Sequence, residues 1–342
     1  MDWLLETVVL MVCCNLIVIV IFTTVAEKIN LMDVPDARKL HSESVPAVGG
    51  LAIYITLLMG MLLQDFSTLG IWVVLAATIV VVFGAIDDAY GLDIRMRLLS
   101  QVVGSCLMIF GYGTWIETLG SGALIDGDLH FLIAIPFTLF ATVGLTNSFN
   151  MIDGIDGLAS GQFVISLSLL CISMFLAHGA VYRFDWLVIL MSVVLSFFVV
   201  NISLLPLQKV FLGDAGSLLL GFMLGWIFIF FSQDPLHPIE PVSILWCIVI
   251  PVFDTLTVVF LRLRNGASPF KADRRHIHHL IQDQGFNEGM TLLLIIVLSA
   301  VVGLVGVVVT ATTTPEVSLV LYLILLFGYV RWVSSLWTKN LV

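Results

Sequence analysis

The sequence predicts an all-α integral membrane protein: one polytopic bundle of about eleven transmembrane helices filling residues 1–342. Three observations predict it. Of 342 residues, 60% are hydrophobic and only 11% charged, whereas soluble domains carry about 25% charged residues. The mean hydropathy is +1.11. The apolar residues gather into runs near the ~20 residues that cross a bilayer, and the basic residues segregate between the loops.

The runs span residues 4–24, 46–64, 68–86, 98–113, 131–147, 158–177, 186–204, 215–231, 241–261, 291–310 and 317–336. The second and third are separated by a short polar break at Gln64-Asp65. The first run lacks the basic n-region and cleavage site of a signal peptide, so it reads as a retained span. An odd number of spans places the termini on opposite sides. The loops after spans 1, 3, 5, 7 and 9, with the C-terminus, hold Lys28, Arg38, Lys39, Arg95, Arg97, Lys209, Arg262, Arg264, Lys271, Arg274, Arg275 and Lys339, twelve of the fourteen basic residues. The positive-inside rule makes that side cytoplasmic, with the N-terminus external and the C-terminus cytoplasmic. The opposite side carries Asp65, Glu117, Asp126, Asp128, Asp185, Asp234, Glu240 and Glu316, which read as solvated loop charge.

The five cysteines lie in apolar runs with no CxxC, which argues against a disulfide framework or a zinc site. The net charge of −10 says little until it is divided by membrane side, and no nucleic-acid partner is expected.

Residues 147–157 organise the polar chemistry. Asn147, Asn150, Asp153 and Asp156 recur at every third position, a spacing that keeps helical neighbours on one face. Gly154 and Gly157 end the helix near Asp153. Amides and carboxylates are oxygen donors, suited to Mg2+ rather than zinc or copper.

The other polar clusters fall on the same predicted side. Arg38 and Lys39 form a basic patch that reads equally as a phosphate contact or a positive-inside anchor. Gly49-Gly50 permits close helix packing or close ligand approach. Asp87-Asp88 ends the third run, where paired acids are functional candidates or caps of the next segment. Gly213-Asp214-Ala215-Gly216-Ser217 opens a helix whose N–H groups would face phosphate; an N-cap role for Asp214 would explain it as well. Asp254 is an intramembrane acid, a functional candidate or half of a buried pair. In residues 268–280, Asp273 is placed to cap a short helix with His276 and His279 on one face. No cysteine lies near the three histidines and the i, i+4 spacing of a zinc helix is missing, so hydrogen bonding to phosphate or sugar beside Lys271, Arg274 and Arg275 fits better.

Asp87, Asp88, Asn150, Asp153, Asp156, Asp214 and Asp254 thus collect on one membrane side, surrounded by cationic loops. Clustered carboxylates repel one another, and a divalent ion with a polyanionic substrate relieves the conflict. That chemistry is phosphoryl transfer at a membrane surface. Taken in order, residues 35–41, 46–50, 87–97, 147–158, 211–217 and 268–280 resemble the polyprenyl-phosphate N-acetylhexosamine-1-phosphate transferases over nearly the whole chain.

The resemblance implies an enzyme of the bacterial inner membrane that transfers GlcNAc-1-phosphate from UDP-GlcNAc to undecaprenyl phosphate, starting O-antigen or another surface polysaccharide. It implies Mg2+, with Mn2+ as an alternative, held by Asn150 and Asp214. It places catalysis on Asp87, Asp88, Asp153, Asp156, His276, His278 and His279. Substrate binding falls to Arg38, Lys39, Arg97, Asn147, Asp156, Lys209, Arg274, Arg275 and His276, with Asp87 near the lipid phosphate and Asp156 near uridine. Other UDP-N-acetylhexosamines or a phospho-MurNAc-pentapeptide donor remain open, and a homodimer is compatible with such a bundle. A secondary transporter is the rival class, but it leaves the one-sided acids unexplained.

Overall fold

The computed structural model describes residues 2–34, 44–63, 68–121, 127–236, 238–269 and 275–339. Arg38, Lys39, Asp273 and Arg274 lie outside these segments. Thirteen α-helices follow in order among the described residues: α1 Asp2–Val25, α2 Gly49–Leu63, α3 Thr68–Tyr90, α4 Ile94–Cys106, α5 Phe131–Ile152, α6 Leu158–His178, α7 Phe184–Asn201, α8 Gly213–Ser232, α9 Pro241–Cys247, α10 Val249–Arg264, α11 Ile277–Gln282, α12 Glu288–Thr312 and α13 Pro315–Lys339. A π-helical turn, Leu107–Tyr112, continues α4.

Each predicted span meets a helix, but not every one is a simple span. Nine helices among the described residues are long and apolar enough to cross a membrane. The run 241–261 is broken: α9 and α10 meet at 83°, and together they make a tenth candidate. Pro251 sits in the first turn of α10, where it cannot donate to the carbonyl four residues back, so the chain is free to bend at Ile248. The run 46–64 yields only the 15 residues of α2. Its first residues are spent elsewhere: Val45–Pro46 pairs antiparallel with Met32–Asp33, a two-stranded hairpin between α1 and α2.

Helix α8 is the hub. Of its apolar stretch 94% is buried, against 22% for α1 and 33% for α3 and α5, whose outer faces are left for lipid. It packs against α5, α3, α2 and α6. Small residues set the spacing. A Cβ on Gly50 would lie 2.1 Å from the Gly216 backbone nitrogen, and one on Gly84 would lie 2.5 Å from Ala215 Cα. A backbone strap completes the junction: Phe211 N–H donates to Pro46 O, Gly49 N–H to Phe211 O and Gly50 N–H to Leu212 O. The start of α8 is therefore fixed to the start of α2.

The ends of α3 and α5 meet the starts of α4 and α8 through Asp87, Asp88, Asn150, Arg97 and Asp214, so these helix ends gather at one end of the bundle. Gly50→Val and Gly84→Val should each destabilise the protein by roughly 1–3 kcal/mol through overpacking against backbone. Thermal unfolding in detergent checks this, with Gly144→Ala, where an added Cβ meets nothing within 4 Å, as the silent control.

Candidate active site

The site is assembled at the helix ends around the start of α8. Gly213 there takes φ +73°, and a Cβ on it would strike Asp88 Oδ2 at 2.6 Å. Glycine therefore admits the Asp88 carboxylate to the helix terminus. Asp88 Oδ1 accepts from Asp214 N–H at 2.7 Å and Oδ2 from Ala215 N–H at 3.0 Å. Asp88, delivered by α3, thus caps α8 from across the bundle and complements its dipole. The cap is not Asp214, whose side chain is left for the site.

Asp87 and Asp214 share one cation. Arg97 Nη1, on the first turns of α4, lies 3.0 Å from Asp87 Oδ2 and 3.4 Å from Asp214 Oδ2. Asp87 Oδ1 accepts from Leu92 N–H at 2.5 Å, while its buried Oδ2 has the Arg97 charge beside it but no directed hydrogen bond. Asn150, near the end of α5, donates through Nδ2 to Asp214 Oδ1 at 2.6 Å and to Ser217 Oγ at 3.0 Å. Asn150 and Asp214 are therefore neighbours, but the amide presents nitrogen rather than oxygen to the carboxylate.

Helix α5 ends at Ile152, with Asp153 as its C-cap, as the glycines predict. Burial, and after it the charges of Asp214, Asp88 and Asp156, hold the Asp153 carboxyl well above its ordinary 3.8. Asp156 belongs to an adjoining cluster: it forms an ion pair with Lys209, accepts from Asn201 Nδ2 at 3.3 Å, and its backbone N–H donates to Glu288 Oε1 at 3.0 Å. Burial raises Asp156 too, against the pull of Lys209. Lys209 also lies 5.2 Å from the Phe211 ring centroid. Asn147 faces α4 instead, donating to Gln101 Oε1 at 2.6 Å. Gln101 is fully buried with Nε2 unpartnered among the described residues; its position one turn beyond Arg97 was the sequence signal for it.

The histidine segment covers the acids from the other side. A Cβ on Gly154 would lie 2.1 Å from His278 Nε2, so this glycine allows the ring to sit on the loop beside Asp153. The predicted pairing of His276 with His279 does not form. His276 is the extended N-cap of α11, outside the helical repeat, and its ring stacks parallel to His278 at 6.0 Å. His279 contacts His278 at 4.1 Å between centroids. Arg275 is drawn away from the acids, with its guanidinium 4.4 Å above the Trp337 ring.

Asp87, Asp88, Asp153 and Asp214 thus gather at these helix ends, and among the described residues Arg97 is the cation paired with Asp87 and Asp214. No three His, Cys, Asp or Glu side chains form a ready metal cage among the described residues. The donor set still fits Mg2+, which takes one or two protein oxygens and completes its shell with substrate phosphate and water. The contact of Asp87 with Asp214 and the undirected Asp87 Oδ2 favour a further positive charge between them.

A carboxyl with a raised pKa holds its proton more tightly folded than unfolded, so the folded state loses stability as pH climbs from about 4 through the raised value. Metal-free protein should accordingly melt at lower temperature as pH rises across that window, and Asp153→Asn should flatten the slope. An unchanged slope in the variant would exclude Asp153 as its source. Removing the cap by Asp88→Ala should cost about 0.5–2 kcal/mol in the same melts.

Glycosyl transferase family 4 matches residues 70–232, from α3 to the end of α8. The undecaprenyl-phosphate alpha-N-acetylglucosaminyl 1-phosphate transferase of Escherichia coli O157:H7 is 37% identical, over 94% of this chain and 91% of the relative. Its namesake from Escherichia coli K12 is 36% identical over 96% and 92%. That of Yersinia pestis is 35% identical over 89% and 85%. The likeness runs the length of both chains and includes every segment that builds the acid cluster, so the chain belongs to glycosyl transferase family 4, among the polyprenyl-phosphate sugar-1-phosphate transferases its motifs resemble.

Proposed function

We propose that the protein transfers GlcNAc-1-phosphate from UDP-GlcNAc to undecaprenyl phosphate, giving undecaprenyl-diphospho-GlcNAc and UMP. The observation that carries this reading is the cluster of Asp87, Asp88, Asp153 and Asp214 at one end of a membrane bundle, with Arg97 and Lys209 beside it. Relatives named for this reaction support it. The reaction would occur on the cytoplasmic face of a bacterial inner membrane. The distribution of basic residues supports that orientation, eleven passes and an external N-terminus.

Mg2+, held by Asp214 with Asn150 or Asp87, supplies charge neutralisation on the donor diphosphate when bound. For Asn150 to contribute oxygen, its amide turns over from the present contact with Asp214. Arg97 neutralises phosphate at the α4 start and orients Asp87. Asp156 on the α5–α6 loop and Lys209 on the α7–α8 loop bracket the donor, and His276, His278 and His279 close over it. The lipid phosphate has its second pKa near ~6 and is largely dianionic at neutral pH, so it attacks the β-phosphorus without a strong base. Its oxygen bonds to that phosphorus as the bond to the UMP oxygen breaks, with UMP leaving as an anion. Asp87, already engaged by Leu92 N–H and Arg97, then positions the acceptor or the metal.

Purified protein with undecaprenyl phosphate, Mg2+ and a panel of UDP-sugars tests the assignment through UMP release and lipid product. UMP with UDP-GlcNAc, abolished by EDTA and by Asp214→Ala, is expected. Turnover with a different UDP-N-acetylhexosamine alone would reassign the donor, and no turnover from folded protein would overturn the reading. Asp87→Asn should be slowed by a factor that stays the same between neutral and high pH, because the lipid phosphate is already dianionic; a rate that recovers as pH rises would instead make Asp87 the base.

A further inference from the structure

Asp254 has no place in the transfer chemistry above, yet it is the most deeply buried acid near the site. It lies on α10, just past the bend from α9, and is 0% exposed. Two donors and an imidazole nitrogen converge on it. His276 Nδ1 is 2.7 Å from Oδ2, Ile277 N–H donates to Oδ1 at 2.9 Å, and the Tyr329 hydroxyl of α13 donates to Oδ1 at 3.3 Å. An ionised carboxylate can only accept, so a ring nitrogen at 2.7 Å from Oδ2 is matched to it when His276 Nδ1 carries the proton.

That requirement fixes both the ring and the atom it presents. With Nδ1 committed to Asp254, Nε2 is the remaining ring nitrogen, and it has no hydrogen-bond partner among the described residues. The ring lies parallel to His278, and His278 rests on Gly154 next to Asp153. The same carboxylate takes the N–H of Ile277, the first residue of α11, so ring orientation and loop anchorage come from one group.

We propose that Asp254 is a positioning residue for the sugar-nucleotide substrate, holding His276 by Nδ1 so that Nε2 is presented to the donor's sugar diphosphate. The arrangement parallels the outer carboxylate that sets tautomer and aim for a working imidazole elsewhere. Asp254 touches no substrate; it acts through His276. Tyr329 and Ile277 keep the carboxylate from turning away.

This inference rests on the proposed sugar-1-phosphate transfer, and its test separates the two. Asp254→Asn keeps an oxygen for Ile277 N–H but turns a nitrogen donor towards Nδ1, which forces the ring proton to Nε2. Steady-state rates would be measured for the full-length protein, Asp254→Asn, His276→Asn and the double variant, varying UDP-GlcNAc and undecaprenyl phosphate in turn. Asp254→Asn should lower kcat/KM for the UDP-sugar by roughly 10- to 100-fold, leave KM for the lipid phosphate unchanged, and cost nothing further when His276 is already Asn. Wild-type kinetics in Asp254→Asn, or a loss undiminished in the His276→Asn background, would overturn it. If Asp254→Asn does not fold, 15N chemical shifts of wild-type histidine decide, with the His276 signals identified by their absence in His276→Asn. Protonated Nδ1 is expected; a ring protonated at Nε2 alone overturns the proposal. A wild-type protein that makes no UMP would instead remove the transfer reading and leave the tautomer measurement standing.

Discussion

The bidentate acceptance of two α8 N–H groups by Asp88 is the interaction on which the site depends. It joins the end of α3 to the start of the most buried helix in the bundle. It also decides what neighbouring residues can do. Because Asp88 satisfies the orphan donors of α8, Asp214 need not fold back on its own helix, and its carboxylate stays beside Asp87 and Arg97. Gly213 and Gly216 make this geometry possible, the first by admitting Asp88 and the second by letting α2 close on α8. A larger residue at either position would separate the helices that carry the acids.

The helix ends are therefore more than scaffold. Asp87 and Asp88 are adjacent on α3, about 100° apart around its axis, and they do different jobs. One points into the shared contact with Arg97 and Asp214, and the other into a helix terminus. The excess of acid over base that results is unfavourable in isolation. It is the kind of local conflict natural sequences retain at functional sites, where a bound cation and a polyanionic substrate resolve it.

Much of this was readable in the chain. Among the described residues, nine of the predicted runs became helices long enough to span because length and hydropathy suffice to define one in a bilayer. Gly154 and Gly157 marked the end of α5, and the family resemblance had already paired Asn150 with Asp214. What was not readable depends on contacts between distant segments. The helix cap from Asp88 joins residues separated by 126 positions, and no local pattern distinguishes it from an Asp at the site. The two-stranded hairpin before α2 is only two residues per strand, too short for an alternation to register. The bend between α9 and α10 is hidden because a proline at the third helical position is also compatible with a fresh helix start. His276 with His279 was a reasonable helical pairing. It fails because Asp254 takes both His276 Nδ1 and the Ile277 N–H, pinning His276 as an extended cap, and alternation rather than helical period then brings His276 and His278 side by side.

The depth of the site follows from the same geometry. Asp87, Asn150 and Asp214 all lie within the last or first turns of α3, α5 and α8, so the acids sit where apolar helix surface gives way to loops. A substrate phosphate carried on a polyprenyl chain is held to that depth, since withdrawing so long an apolar chain into water is costly at ~0.8 kcal/mol per CH2. A nucleotide sugar, by contrast, arrives from water. A site built at helix ends meets both without either crossing the interface. The loops then have a separate task from the helices. The helices fix the acids at one end of the bundle, while the Lys209 loop and the histidine segment are anchored there by Asp156 and Asp254. In the proposed reaction, the rigid bundle sets where phosphorus and acceptor meet, and the loop anchors set how the donor is aimed.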